Sequence, residues 1–295
     1  MKNLLPLFLL LFSTPISASS FSQDTLKYPQ SDSITLLHTR WTTQQCNGFK
    51  LNQHHFLADS IFHSNQFVSF IEIPPSSPRR LAFVSDTILS TTSSLANRCN
   101  AYAAVNGSFF DMDLGTPICY LRIDGLDIGE NTPGKTDTLH RKYYQYATIV
   151  LRNGLPHLVV PDSARCWERF LIDSNIMTAG PMLIHRGKIL PQRNDRSFVT
   201  YRHNRTALGL RPDGTILLLT VDGRFKQLAD GLSLSELAQL LFWMGCSEAI
   251  NIDGGGSTTM YLRGAPDEGI VNHPSDDGRF THLGQRPVSN ILIVK

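Results

Sequence analysis

The sequence has no strong excess of charge of either sign. It has 27 Lys and Arg against 25 Asp and Glu, for a formal net charge of +2 over 295 residues. Proteins that bind nucleic acids or anionic membranes through general electrostatics are usually strongly basic. The sequence also lacks a long basic block and the aromatic–basic interleaving typical of single-strand binders. We therefore expect no nucleic-acid partner.

Long hydrophobic runs are also missing. The longest, from Leu4 to Phe12, follows a single Lys and precedes small residues, and it is too short to span a bilayer. This pattern predicts a secretory signal peptide at residues 1–20, with cleavage between Ala18 and Phe21. We expect no membrane span and a periplasmic or extracellular location.

Several catalytic and metal-binding motifs are absent. There is no C-x-x-C, no H-E-x-x-H, no Walker loop and no G-x-S-x-G elbow, so none of these metal, nucleotide or serine-hydrolase motifs is available. The five cysteines, an odd number, leave at least one thiol unpaired, and the pairing of the others stays open. Export would permit disulfides, although Cys246 is predicted to be a plain buried residue.

Short β-like segments dominate the chain. They are rich in β-branched and aromatic residues and are separated by Gly, Pro, Asn and Asp. We predict strands at SITLLHTRW, FVSFIEI and LAFVS, a long hairpin loop at PPSSPRR, and a tight hairpin at RPDG. The fold class is therefore α+β, with a largely antiparallel β-sheet core and a few flanking helices.

The clearest helix is predicted from Ser233 to Gly245. Ser233 and Glu236 form a capping box, apolar residues follow at helical spacing, and Gly245 ends the segment. Weaker helices are predicted at Thr87–Arg98 and Ser163–Leu171.

Three predicted strands are followed by turns that carry polar residues, namely Asn106, Asp222 and Asp253. Strand ends aim side chains rigidly, and turns allow backbone N–H groups to face a ligand. These turns are therefore candidates for one pocket.

Asp253 begins the segment DGGGST. Consecutive glycines can direct N–H groups toward one anion, and the hydroxyls of Ser257 and Thr258 would add donors. A tight structural turn would explain the same residues.

Arg205 could fork onto two phosphate oxygens, or it could be a surface or salt-bridged arginine. Asp222 and Arg224 could equally be solvated charges in a turn.

The order of these segments resembles that of the phosphodiester glycosidase family from about Tyr102 to the C-terminus. The segments are AAVNGSFFD, TAGPMLIHRGK, RTALGLRPDGTILLLTVDGR, the block from GLSLSELAQ to STTMYL, and RPVSNILIV. The helix followed by NIDGGGST is the most specific part. The resemblance implies a catalytic domain at residues 86–295, packed as one globular unit with a strand-rich lead-in at residues 21–85.

The resemblance also implies the site residues. They are Asn106, Arg205, Asp222, Asp253, Gly254, Gly255, Gly256 and Ser257, with Thr206 and Asn290 as weaker members. Family members usually carry Gly where this chain has Ser108.

The implied reaction is hydrolysis of a sugar-1-phosphodiester, such as an N-acetylglucosamine-1-phosphodiester, to a free sugar and a phosphomonoester. Asp253 and Asp222 are the catalytic candidates, one of them as base or nucleophile. Arg205 and the glycine loop would hold the diester, and Asn106 would contact the sugar or the phosphate. No cofactor is predicted, but the two aspartates could instead bind a divalent cation in a metal-dependent phosphodiesterase. A carbohydrate- or wall-binding module without turnover is the other alternative.

Overall fold

The computed structural model describes residues 28–133, 142–160, 166–193 and 197–295. The predicted signal peptide at residues 1–20 lies outside these ranges. Within them, no helix has both the length and the apolar character needed to cross a membrane.

The largest sheet has eight strands, and each neighbouring pair is antiparallel. In spatial order the strands are β1 (Thr42–Cys46), β2 (Phe49–Ile61), β3 (Ser64–Ile73), β14 (Ile216–Val221), β13 (Arg205–Leu210), β15 (Glu248–Asn251), β11 (Met182–His185) and β12 (Lys188–Ile189).

Two smaller antiparallel sheets complete the β structure of the described residues. One consists of β7 (Leu126–Gly129), β6 (Leu121–Ile123), β10 (Ile176–Ala179), β8 (Ala147–Arg152) and β9 (Leu155–Val159). The other consists of β16 (Met260–Leu262), β5 (Ala103–Asn106), β17 (Val288–Val294) and β4 (Leu81–Ser90).

Helices are few and short. They are α1 (Gln30–His38), α2 (Thr92–Arg98), α3 (Ser197–Thr200) and α4 (Leu234–Trp243), and short 3-10 turns occur at Tyr143–Gln145, Trp167–Phe170, Gly255–Ser257 and Asp267–Gly269. The predicted α+β class with a largely antiparallel core is confirmed.

The main hydrophobic core contains side chains from all three sheets. Ile71 and Leu218 come from the eight-stranded sheet, Ile149 from the five-stranded sheet, and Val105 and Leu292 from the four-stranded sheet. Each such side chain, when fully buried, contributes about 1.5–3 kcal/mol through removal of apolar surface from water. The three sheets therefore stabilise one another, and the strand ends are held rigidly.

Strand β14 is buried on both faces. Leu218 lies in the main core, whereas Leu217 and Leu219 pack in a second cluster with Leu237 and Leu241 of α4. Side chains alternate between the two faces of a strand, so burial on both sides explains the continuous apolar run of this segment.

The predicted α4 helix is confirmed. The Ser233 hydroxyl accepts a hydrogen bond from the Glu236 N–H at 3.3 Å, and a Glu236 carboxylate oxygen accepts one from the Ser233 N–H at 2.8 Å. Gly245 follows the C-cap with φ +86°, in the left-handed region that favours glycine after a helix.

The RPDG hairpin is confirmed, because β13 and β14 pair from Arg205↔Val221 to Leu210↔Ile216. The predicted hairpin at PPSSPRR is wrong. The flanking segments are both strands, but β3 lies in the eight-stranded sheet and β4 in the four-stranded sheet. The segment is therefore a crossover between two sheets.

The strand predicted at Ser33–Trp41 is wrong for most of its length, because Gln30–His38 is helical. Asp32 and Leu36, one helical turn apart, are buried. The Asp32 carboxylate accepts a hydrogen bond from the Phe62 N–H at 2.7 Å. This tertiary contact outweighs the strand propensity of Ile34 and Thr35.

The helix predicted at Thr87–Arg98 begins too early. Strand β4 continues to Ser90, and the Thr91 hydroxyl caps α2 by accepting from the Ser94 N–H at 3.3 Å. Of the helix predicted at Ser163–Leu171, residues 163–165 lie outside the described ranges, and Trp167–Phe170 form only a 3-10 turn.

All five cysteines are free thiols. Cys246 is buried, as predicted, and packs with the α4 cluster.

Candidate active site

The strand order brings three of the predicted site residues to one end of the large sheet. Strand β13 begins at Arg205, which pairs with Val221 at the end of β14, and Ala207 pairs with Asn251 at the end of β15. Asp222 follows the end of β14 directly, and Asp253 follows the end of β15 after one residue. Antiparallel pairing therefore accounts for their proximity to Arg205.

Asn106 links this end of the sheet to the four-stranded sheet. Its Nδ2 donates to the main-chain carbonyl of Asp253 at 2.7 Å. Its Oδ1 accepts from the Thr206 hydroxyl at 2.7 Å and from the Thr259 N–H at 3.2 Å. Asn106 is fully buried. With these protein partners, it holds the loop after β15 rather than facing a ligand.

A cavity of about 260 Å³ opens beside the glycine run. Its lining residues are Phe109, Ser197, Phe198, His203, Arg205, Arg224, Asp253, Gly254 and Gly255. Among the predicted site residues, Asp253, Arg205, Gly254 and Gly255 are therefore brought together, and Phe109 and Phe198 supply an apolar wall.

Asp253 is the only carboxylate among the described residues that line this cavity. Burial raises the pKa of its carboxyl to about 6. The Ser257 hydroxyl, the Gly254 N–H at 2.9 Å and the charges of Arg286 and Arg224 oppose that rise. The Ser257 hydroxyl lies near enough to lower the pKa of the Asp253 carboxyl, but it forms no hydrogen bond with that carboxyl. A carboxyl with such a pKa exchanges protons near neutral pH, as a general base requires.

Arg205 is fully buried, and hydrogen bonds to three main-chain carbonyl groups hold its guanidinium in place. Its Nε donates to Leu232 O at 2.7 Å, and its Nη2 donates to Phe198 O at 2.8 Å and Tyr201 O at 3.1 Å. Burial lowers the pKa of its guanidinium to about 9. Arg205 is not a surface residue, and among the described residues no carboxylate forms a salt bridge with it. It presents a fixed positive charge to the cavity.

Arg224 is a second cation in the cavity, whereas its sequence pattern fitted a functional residue and a solvated turn charge equally well. It lies in the left-handed backbone region, with φ +65°. In the part of the chain that the structure describes, no carboxylate pairs with its guanidinium. The VDGR turn was the sequence signal for it, but solvated turn charges produce the same pattern. Non-glycine residues in this backbone region are often found at functional sites.

His203 also lines the cavity, and no local sequence motif indicated a role for it. Burial and the charges of Arg205 and Arg224 lower its pKa to about 4. The imidazole is therefore neutral near pH 7 and can accept or donate a hydrogen bond without adding charge.

Asp222 does not line this cavity. It is fully buried, and its carboxylate accepts from Asn272 Nδ2 at 2.9 Å, the His273 N–H at 2.9 Å and His273 Nδ1 at 2.8 Å. Both oxygens are therefore occupied. These hydrogen bonds connect the end of β14 to residues 272–273, which indicates a structural role for Asp222.

Each glycine of the run lies close to a different neighbour. A Cβ on Gly254 would lie 2.6 Å from the Asn204 carbonyl oxygen. A Cβ on Gly255, which has φ +62°, would lie 2.9 Å from Arg224 Nη2, and one on Gly256 would lie 2.5 Å from Arg286 Nη2. The run therefore allows two guanidinium groups to lie directly on the backbone.

The expected nest of N–H donors is already partly occupied. The Gly254 N–H donates to Asp253 Oδ1 at 2.9 Å, and the Gly255 N–H donates to Asn204 O at 2.9 Å. Positive charge beside the loop comes from arginine side chains instead.

The remaining predicted residues do not line the cavity. Ser257 and Thr258 are fully buried, and Thr258 accepts a hydrogen bond from Thr206 at 3.3 Å. The Asn290 Oδ1 accepts from the Ser108 N–H at 2.8 Å and from its hydroxyl at 3.3 Å. These residues support the loop without lining the cavity.

The described residues contain no group of three or more His, Cys, Asp or Glu side chains placed to hold a metal ion.

Comparisons with known proteins agree with this architecture. A profile of the phosphodiester glycosidase family matches residues 99–295. Over 79 residues, 27% of this chain, the sequence is 40% identical to the N-acetylglucosamine-1-phosphodiester alpha-N-acetylglucosaminidase of Bos taurus. This segment spans only 14% of the bovine protein. A prophage-derived protein, YomE, of Bacillus subtilis is 38% identical over 75 residues, which is 25% of this chain and 11% of that protein.

Solved structures extend the likeness of fold to most of the chain. The catalytic domain of the zebrafish N-acetylglucosamine-1-phosphodiester alpha-N-acetylglucosaminidase superposes with a TM-score of 0.62 and 18% identity, covering 91% of both chains. A hypothetical protein from Synechocystis superposes with a TM-score of 0.60 and 17% identity, covering 87% of this chain and 64% of the other. On the match of the family profile, the chain belongs to the phosphodiester glycosidase family.

Proposed function

We propose that this chain hydrolyses a sugar-1-phosphodiester at the sugar C1–O bond, releasing a free sugar and a phosphomonoester. The observation that carries the proposal is the placement of one carboxylate, Asp253, in a cavity with Arg205 and Arg224. A carboxylate beside two guanidinium groups suits a substrate that is anionic at the leaving group and electrophilic at an adjacent carbon.

The cavity supports a one-step displacement. A water molecule attacks C1, and one of its protons passes to the Asp253 carboxylate. The C1–O bond breaks, and its electron pair stays with the phosphate oxygen as the phosphomonoester departs. A phosphate leaving group needs little protonation, so no second carboxyl is required as an acid. Arg205 and Arg224 stabilise the charge that accumulates on the phosphate.

Asp253 acts as the base rather than the nucleophile in this scheme. A nucleophilic carboxylate would form a glycosyl-enzyme, whose hydrolysis needs a second group to activate water. Asp222, the other candidate, has both oxygens bound to Asn272 and His273. We therefore expect inversion at C1.

N-acetylglucosamine is the sugar we propose first, because the bovine and zebrafish relatives are named for it. Phe109 and Phe198 offer the apolar surface on which a sugar ring can pack. We also propose that residues 1–20 direct export to the periplasm or the extracellular medium, which N-terminal sequencing of the mature secreted protein would test.

The test is product analysis with purified protein on an α-N-acetylglucosamine-1-phosphodiester, with and without EDTA. We expect free N-acetylglucosamine to form at an unchanged rate in EDTA, and Asp253→Asn to abolish it. Asp113→Asn, at an exposed position, is the matched control. Release of N-acetylglucosamine-1-phosphate that stops in EDTA would instead indicate a metal-dependent phosphodiesterase. Binding of the diester without turnover would indicate a carbohydrate-binding module.

A further inference from the structure

A second arginine, Arg286, lies against the glycine loop and is not among the residues that line the cavity. Arg286 Nη2 is 2.5 Å from Asp276 Oδ1, and its Nε is 3.1 Å from the same oxygen. The two side chains are 21% and 36% exposed. A Cβ on Gly256 would lie 2.5 Å from Arg286 Nη2, so the guanidinium lies directly against the backbone of the loop.

Arg286 is close enough to Asp253 to act on its charge. Together with Arg224, it lowers the pKa of the Asp253 carboxyl against the effect of burial. Arg286 is not among the residues that line the cavity. It therefore influences the carboxylate without an evident path to touch the substrate.

We propose that Arg286, held by Asp276, is a positioning residue that fixes the DGGG loop and keeps Asp253 in its carboxylate form. This inference rests on the proposed function for its catalytic consequence, since the base must be ionised to accept a proton from water. The ion pair weakens the effect of Arg286 on the Asp253 carboxyl, because Asp276 partly neutralises the charge of Arg286.

Several other groups act on the same carboxylate. Arg224 follows β14, and Arg205 and His203 lie at the start of β13. The Cys119 thiol is also near, and the Asp253 charge contributes to the raised pKa of that thiol. None of these changes when either member of the Arg286–Asp276 pair is substituted.

Because the two members of the pair have opposite charges, substituting one or the other should shift the Asp253 pKa in opposite directions. Arg286→Gln removes the favourable charge and leaves Asp276 nearby, so the Asp253 pKa should rise by about half to one unit. Asp276→Asn leaves Arg286 unneutralised, so the pKa should fall by a few tenths of a unit. A purely structural contact would weaken the protein in both variants without opposite shifts.

The experiment follows the Asp253 carboxyl by carbon NMR through a pH titration of the full chain, with assignment from Asp253→Asn. Arg279 is an exposed arginine in the segment that contains Asp276. Arg279→Gln is therefore the control and should leave the Asp253 titration unchanged. The acid limb of kcat/KM should move with the NMR value in each variant. Shifts in the same direction, or none, in Arg286→Gln and Asp276→Asn would overturn the proposal.

The NMR titration needs no turnover. If the opposite shifts occur but no diester is cleaved, the electrostatic role of Arg286 stands and the proposed function fails. If the diester is cleaved but the shifts do not occur, the proposed function stands and the role of Arg286 fails.

Discussion

Asn106 Nδ2 donates a hydrogen bond to the main-chain carbonyl of Asp253 across 2.7 Å and so fastens the end of β5 to the loop after β15. Asn106 belongs to the four-stranded sheet, whereas Asp253 follows β15 of the eight-stranded sheet, and both sheets contribute side chains to the main core. The carboxylate is consequently held by buried backbone and side-chain groups rather than by a free loop. Rigid support of this kind is what precise placement of a catalytic group requires.

Replacing Asn106 should loosen this attachment. Asn106→Ala leaves the Asp253 carbonyl and the Thr259 N–H without their Asn106 partner, and the Thr206 hydroxyl with Thr258 alone. We expect the free energy of unfolding to fall by about 1–3 kcal/mol and kcat to fall about tenfold to a hundredfold. Denaturant unfolding and steady-state kinetics measure the two effects. Gln44→Ala, on the exposed edge strand β1, should change neither, and full activity in Asn106→Ala would contradict the holding role.

The raised pKa of Asp253 links stability to pH. Its folded pKa of about 6 exceeds the value of about 3.9 in an unfolded chain, so the native state binds the proton more tightly. The contribution of Asp253 to stability is therefore greatest below pH 4 and is lost as the pH rises from about 4 through about 6. Asp253→Asn cannot ionise, and it should be more stable than the parent at pH 7 by about 1–3 kcal/mol.

Thermal unfolding of Asp253→Asn and the parent from pH 4 to pH 8 measures this difference. The gain should disappear near pH 4, while turnover is absent throughout. In the parent, kcat/KM should rise with pH through about 6 as the base ionises. A variant less stable than the parent at pH 7, or one that retains turnover, would contradict the account.

Asp222 should behave differently from Asp253. In Asp222→Asn, a neutral amide replaces a buried carboxylate that accepts three hydrogen bonds from Asn272 and His273. We expect a loss of about 2–4 kcal/mol of stability, with residual turnover in the fraction that remains folded. Calorimetry and kinetics on the same sample separate the effects. An undiminished melting temperature with complete loss of turnover would mean that Asp222 takes part in the chemistry.

Arg224 should determine affinity for the phosphate. Arg224→Ala removes a guanidinium that no described carboxylate neutralises, and we expect kcat/KM to fall about tenfold to a hundredfold. Arg224→Lys should restore only part of it, because an ammonium cannot fork onto two oxygens.

Arg186 supplies a matched control for Arg224. It is exposed and also has a positive φ, +50°, so Arg186→Ala reproduces the backbone effect without the charge in the cavity. An equal change in kcat/KM in the two variants would show that backbone strain, and not phosphate binding, explains the loss.

The sequence predicts local features well where the signal is local. The capping box of Ser233 and Glu236 and the RPDG turn are contained within a few residues, and both are confirmed. The helix at Gln30–His38 is missed because a distant contact, from the Phe62 N–H to Asp32, decides it. The crossover at PPSSPRR is missed for a similar reason, since no local pattern states which sheet a strand joins.

The candidate site shows the same division. Asp253, Arg205 and two of the glycines are predicted and line one cavity. The occupied oxygens of Asp222 and the inward position of Arg224 depend on residues 272–273 and on the packing against Gly255, which are remote in sequence. A motif identifies the residues of a turn, but it does not determine which of them turn toward the cavity.

The most direct test of the central claim is turnover of an α-N-acetylglucosamine-1-phosphodiester in water enriched in oxygen-18, followed by mass spectrometry of both products. Attack at C1 with Asp253 as base predicts the label in the anomeric hydroxyl of the first-formed sugar. Short reaction times are needed, because the free sugar slowly exchanges that oxygen. Label in the phosphomonoester, with an unlabelled sugar product, would mean P–O cleavage and would contradict the account.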